Sequence, residues 1–198
     1  MPLGRSTGNA PNLIKQIRPM DVTAGSIGLM ATAASLWAVP GAGGVLGAGL
    51  ALLMLAIAVI DYRHLIIPNE LSAAALALGL INAAIVEAPS MIESVAFALL
   101  RGTVVMLFFL GLRWGYGWLR KQEGLGLGDV KLAFVAGAWL DWIMIPIAIE
   151  IAALGALVVY GVAIALGRQN MNGRLPFGFF LAPAVWITWM TAALLAVF

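Results

Sequence analysis

The sequence predicts an all-α, polytopic membrane bundle of about seven transmembrane helices, with six as the alternative count and a cytoplasmic amino terminus. Three observations carry this. Of 198 residues, 63% are hydrophobic and 10% charged, with a mean hydropathy of +1.02, whereas a soluble domain carries about 25% charged residues. Apolar runs of helical length alternate with short polar segments. Those runs are rich in Ala and Leu, and a lipid-exposed span must satisfy its own backbone hydrogen bonds.

The elements follow in order. Residues 1–21 are polar, hold Lys15, Arg18 and Pro19, and lack the apolar core of a cleavable signal. They read as a cytoplasmic segment ahead of a single membrane-embedded domain over 22–198. The first two runs are 22–39 and 42–60, and Gly41, Gly43, Gly44, Gly47 and Gly49 crowd the start of the second. Gly43 and Gly47 have the small-xxx-small spacing that allows close helix packing. Ile67-Pro68-Asn69 reads as a turn, with Asn69 capping a third run over 71–86. Further runs cover 94–118, 130–140, 142–166 and 177–197.

The fifth run has about eleven residues, too few for a ~30 Å hydrocarbon core. It is kept as a short, tilted span because charge placement requires it. Seven crossings put the segments around Arg63, around Arg120 and Lys121, and around Arg168 and Arg174 on the cytoplasmic side. Glu87, Glu93 and Asp141 then face the other side, and of eleven Lys and Arg residues only Arg101 lies toward the outer half. This is the positive-inside pattern. Seven tryptophans, including Trp114, Trp118, Trp142, Trp186 and Trp189, read as interfacial anchors.

Composition also excludes chemistry. There is no cysteine and one histidine, His64, so disulfides, thiolate metal sites, a cysteine nucleophile and a multi-histidine site are ruled out. No metal and no cofactor are expected. The net charge of +2 gives no sign of a nucleic-acid surface, and the bilayer is the expected environment.

Two carboxylates stand out, because an acid at a membrane boundary is costly unless paired, hydrated or used. Asp61 ends the second run, in Ile60-Asp61-Tyr62-Arg63-His64. Alone, it reads as a solvated terminal charge paired with Arg63 or His64. Asp129 closes Gly124-Leu-Gly126-Leu-Gly128-Asp129 at the start of the fifth run. Alone, it reads as a capping carboxylate favoured by the helix dipole. Lys131, two residues on, does not share its face and is expected to point toward headgroups. No Gly-Lys-Ser/Thr follows, so this is no phosphate loop.

Together the two acids say more. One ends an inward-going helix and the other begins an outward-going one, so both face the same leaflet. Two such carboxylates can share a proton and titrate as a pair. The ionised member then activates water while the protonated member polarises a carbonyl. Glu150, inside the sixth run, reads as a hydrogen-bonded packing group.

At these residues the chain resembles the type IV prepilin leader peptidases, membrane aspartic proteases that also include archaeal preflagellin peptidases. Three places carry the resemblance: Asp61 followed by Ile67-Pro68-Asn69; Gly126-Leu-Gly128-Asp129-Val-Lys131, which fits a Gly-x-Gly-Asp-x-Lys pattern; and Pro176-Phe177-Gly178 at the mouth of the last run. It covers roughly residues 40–185.

The resemblance implies that Asp61 and Asp129 are catalytic, with Gly126, Gly128, Lys131, Pro68, Asn69, Pro176, Phe177 and Gly178 binding substrate or supporting the site. It implies a prepilin or pseudopilin precursor as substrate, cut at the cytoplasmic face of the bacterial inner membrane after a glycine and before the pilin's hydrophobic helix. Larger members carry a cysteine-containing loop and also methylate the new amino terminus. This chain has no such cysteines, so it is closer to the small, single-activity forms of tight-adherence pilus systems. Phe179 stands where many members have a second proline. Two other readings stay open: a presenilin-like intramembrane protease, although the Pro-Ala-Leu motif is missing, and a small transporter using Asp61, Asp129 and Glu150 as a proton relay.

Overall fold

The computed structural model describes residues 19–86, 90–120, 125–167 and 176–195. Lys15, Arg18, Glu87, Lys121, Gly124, Arg168 and Arg174 lie outside them, as does nearly all of the 1–21 segment. Seven helices follow one another: α1 (Pro19–Ala38), α2 (Ala42–His64), α3 (Asn69–Val86), α4 (Met91–Arg120), α5 (Leu127–Trp139), α6 (Met144–Ala165) and α7 (Phe177–Leu195). The described residues contain no strand. Five helices, α2, α3, α4, α6 and α7, are long and apolar enough to cross a membrane. The apolar stretch of α1, Val22–Ala38, is shorter. The chain is therefore a multi-pass helical membrane protein.

Two central helices hold the bundle together. α2 packs on α1, α3 and α7, while α5 packs on α4, α3 and α7. α5 has thirteen residues and nine of them are buried, so protein rather than lipid surrounds it. Its length of about 20 Å therefore faces no hydrophobic mismatch along its buried sides. The close α4–α5 approach depends on small residues, since a Cβ on Gly137 would lie 2.7 Å from the Gly102 Cα.

At the end of that contact the Arg101 guanidinium donates to the Gly137 carbonyl at 3.3 Å and to Asp141 Oδ1 at 3.2 Å. Arg101 is thus a staple across the α5 carboxyl terminus. There a cation also meets the negative end of the helix dipole.

Three tryptophans depart from the interfacial role expected of them. Trp139 donates its indole N–H to the Ala75 carbonyl at 2.8 Å, and Trp186 donates to Ser35 Oγ at 3.0 Å. Trp189 packs edge-on against Trp139 and fills the space over Gly47, where a Cβ would lie 1.8 Å from its ring. The glycine crowd on α2 thus makes room for an aromatic ring, with Gly47 the tightest point. The other four, Trp37, Trp114, Trp118 and Trp142, are exposed.

Candidate active site

The site forms where α2 ends and α5 and α7 begin. α2 continues through His64, so Asp61 lies in its last turn rather than after it. The Asp61 carbonyl accepts the Leu65 N–H at 2.8 Å, and Leu65 turns left-handed with φ 55°. That conformation costs an L-residue about 1–2 kcal/mol, and it turns the chain sharply into Ile66-Ile67-Pro68. Pro68 closes the turn, its carbonyl accepting the Ser72 amide at 3.2 Å.

Asp61 is 5% exposed, whereas Tyr62, Arg63 and His64 beyond it face outward. A solvated terminal charge is therefore not what the fold builds. Asp61 Oδ2 instead accepts the Phe179 N–H at 2.9 Å, and the Gly178 amide also bonds this carboxyl group. These are first-turn amides of α7, which have no partner within their own helix. An acid from α2 thus caps α7, where the helix dipole favours negative charge.

Asp129 is 8% exposed. Its Oδ2 accepts the Gly126 N–H at 3.2 Å, so the capping role is real. The same carboxyl group also bonds the Gly178 amide and feels the charge of Asp61. One peptide unit on α7 therefore serves both acids, and residues 61 and 129 meet at a single helix terminus.

Glycine is required at that point: a Cβ on Gly178 would lie 2.8 Å from Asp61 Oδ2 and 2.7 Å from Ile67 Cδ1. Gly128 is similarly crowded, its missing Cβ falling 3.0 Å from the Ile67 Cβ. Ile67, which sequence pattern placed only within a turn, is thus a buried wedge between the starts of α5 and α7.

Two expectations for the motif side chains are corrected. Lys131 Nζ donates to Asn69 Oδ1 at 2.6 Å, so the lysine ties α5 to α3 instead of reaching for headgroups. Asn69 is the first residue of α3 and its oxygen is taken by Lys131, so it does not cap that helix. Pro176 precedes α7 directly, and the Phe177 ring lies 6.4 Å from that of Phe109 on α4. Arg113, which no motif singled out, donates to the Leu125 carbonyl and holds the strand of chain that enters Gly126. Glu150 is absent from the site: it is exposed on α6 rather than buried in a hydrogen-bonded core position.

A membrane bundle with two buried acids joined at one helix start is a multi-pass protein with a paired-carboxylate site. Residues 48–198 match the type IV leader peptidase family, and the chain belongs to that family. It is 33% identical over 128 residues to the leader peptidase HopD of Escherichia coli, covering 63% of this chain and 78% of that one. It is 35% identical over 134 residues to the prepilin leader peptidase/N-methyltransferase of Burkholderia pseudomallei (68% and 42%). The enzyme of that name from Aeromonas hydrophila is 31% identical over 160 residues (80% and 53%). The chain thus spans about half the length of the relatives named for both activities. No solved structure matches it.

Proposed function

We propose that this chain is an aspartic endopeptidase that removes the short basic leader from a prepilin or pseudopilin precursor, at the cytoplasmic face of the bacterial inner membrane. The observation that carries the proposal is the burial of Asp61 and Asp129 where α5 and α7 begin, Asp61 held by the Phe179 amide and Asp129 by the Gly126 amide, with Ile67 against both Gly128 and Gly178. Asp61 and Asp129 are the catalytic pair in this reading. One holds the proton and polarises the scissile carbonyl, while the other takes a proton from the attacking water. The roles exchange as the amine leaves, so no metal or nucleophilic side chain takes part.

The backbone donors Phe179, Gly178 and Gly126 orient the two carboxyl groups, and the Lys131–Asn69 bond fixes α5 against α3. Residues 22–198 act as one peptidase domain, with 1–21 on the cytoplasmic side. The lack of cysteine argues for peptidase activity without N-methylation. The transporter reading loses ground because Glu150 lies apart from the pair, so no relay of three acids connects. The presenilin-like reading differs in where the substrate is cut.

The test is to co-express the chain with a prepilin precursor and sequence the new amino terminus of the product. Cleavage at the leader boundary, lost in Asp61→Asn and in Asp129→Asn, supports the assignment. A cut inside the apolar helix favours the presenilin-like reading, and processing at the normal rate by both variants overturns the assignment.

A further inference from the structure

α4 packs on α3 and α5, while α6 packs on α7. The space between α4 and α6 holds two hollows, of about 660 and 470 Å³, that share Phe108 and Ile149 as lining residues. They form one groove along α4 from Leu119 to Val104. The difference, 119 minus 104, corresponds to about 22 Å of helix rise, most of a bilayer core. At one end the groove reaches Leu125 and Phe177. These residues stand immediately before Gly126 and Gly178, the glycines that bond the two aspartates. This end of the groove therefore adjoins the candidate active site, one residue away along the chain on both approaches.

Two glycines lie in its wall. Gly111 and Gly115 are four residues apart on α4, and a Cβ on either would meet no atom within 4 Å. Gly102, on the same helix, is the contrast, because a Cβ there would lie 2.8 Å from the Phe134 carbonyl oxygen. The first pair has the spacing that lets membrane helices approach closely, yet among the described residues nothing is set against it. Glu150 lines the other end of the groove. A carboxylate at that depth is costly until a donor reaches it.

We infer that this groove receives the apolar transmembrane helix of the substrate, lying along α4 with its scissile end beside Phe177 and Gly178. The inference rests on the peptidase reading and adds where the substrate is held. A helix fits better than lipid tails because the glycine pair offers a backbone-close seat. A hydrogen-bond donor on that helix at the depth of Glu150 satisfies the carboxylate.

Since the chain has no cysteine, single cysteines report on the contact. Gly111→Cys, Gly115→Cys and Ala153→Cys probe the groove, while Leu29→Cys and Ile81→Cys probe exposed positions on α1 and α3. The probe is a precursor with a basic leader, a glycine and a Leu/Ala helix of about 20 residues that carries one cysteine. Enzyme with Asp61→Asn and probe are reconstituted together in phosphatidylcholine vesicles. The expected result is disulfide capture at groove positions at least tenfold above α1 and α3, with Gly111→Leu abolishing capture at Ala153→Cys. Capture at α1 or α3 to the same degree, or no capture at any position, overturns the groove assignment. Cleavage of the probe by the Asp61→Asn chain strikes instead at the peptidase reading and leaves the capture result to stand by itself.

Discussion

The Phe179 amide donates to Asp61 Oδ2 at 2.9 Å across 118 positions of sequence. This contact makes α7 the anchor of the first acid. Proline has no N–H, so Phe179→Pro deletes this donor, at a position where many members of the family that the chain resembles have proline. Phe179→Pro is therefore expected to retain cleavage and to lose about 1.5–3 kcal/mol of stability, the contribution of a hydrogen bond to a charged group. Phe179→Ala keeps the amide and loses only ring contacts with Tyr62 and Phe180, so it measures the ring's share alone. Thermal unfolding beside steady-state cleavage in detergent compares the two, and a loss of cleavage in Phe179→Pro contradicts the expectation.

Gly178 tests packing against chemistry. A methyl group placed 2.8 Å from Asp61 Oδ2 must move either the carboxylate or the start of α7. Overpacking of this kind costs about 1–3 kcal/mol of stability, and misplacing a reacting group by about 1 Å costs about 100-fold in rate. Gly178→Ala is thus expected to lower activity far more than it lowers the melting temperature. Parallel thermal unfolding and cleavage assays decide, and comparable losses in both contradict the geometry.

The proposed pair also sets a pH dependence. Activity requires one proton shared between Asp61 and Asp129. Below the working range a second proton binds, no base remains, and the rate falls. Above it the last proton leaves, no acid remains, and the rate falls again. A profile of kcat against pH is expected to be a bell whose limbs belong to the pair and to neither residue alone. A flat profile across acidic and neutral pH contradicts proton sharing.

How much of this was legible in the sequence depends on what each residue contributes. Asp61 and Asp129 stand out because ionisable side chains are rare in so apolar a chain. The glycines around Asp129 mark a turn whatever the fold. The seven helices follow from runs of apolar residues, and even the short α5 was visible, although not the reason it survives, which is burial against three neighbours. The donors at Gly178 and Phe179 left no such sign, because a backbone amide is the same in every residue. Ile67 looked like any other turn residue, since its partners Gly128 and Gly178 are far away in the chain. Trp139, Trp186 and Trp189 were misjudged because an indole near a span end serves an interface or a core equally well, and only the facing glycine decides.

Lys131 and Asn69 illustrate the same limit. Neighbouring positions gave the lysine no partner, yet its ammonium donates to Asn69 Oδ1 at 2.6 Å, joining residues 62 positions apart. The contact is exposed, so its coupling is modest, about 0.5–1.5 kcal/mol. A double-mutant cycle with Lys131→Met and Asn69→Ala is expected to show stability losses that are less than additive. Strict additivity means that the two side chains do not cooperate.

The most direct measurement is the single-turnover rate of precursor cleavage by Asp61→Asn, Asp129→Asn and the double variant, each shown to be folded. Residues that act as one unit are grossly non-additive in kinetics. Each single change is therefore expected to lower the rate by at least about 1000-fold, with the double variant no worse than either. A single variant that keeps more than a tenth of the parental rate, or a double variant whose loss is the product of the two single losses, contradicts a shared catalytic pair.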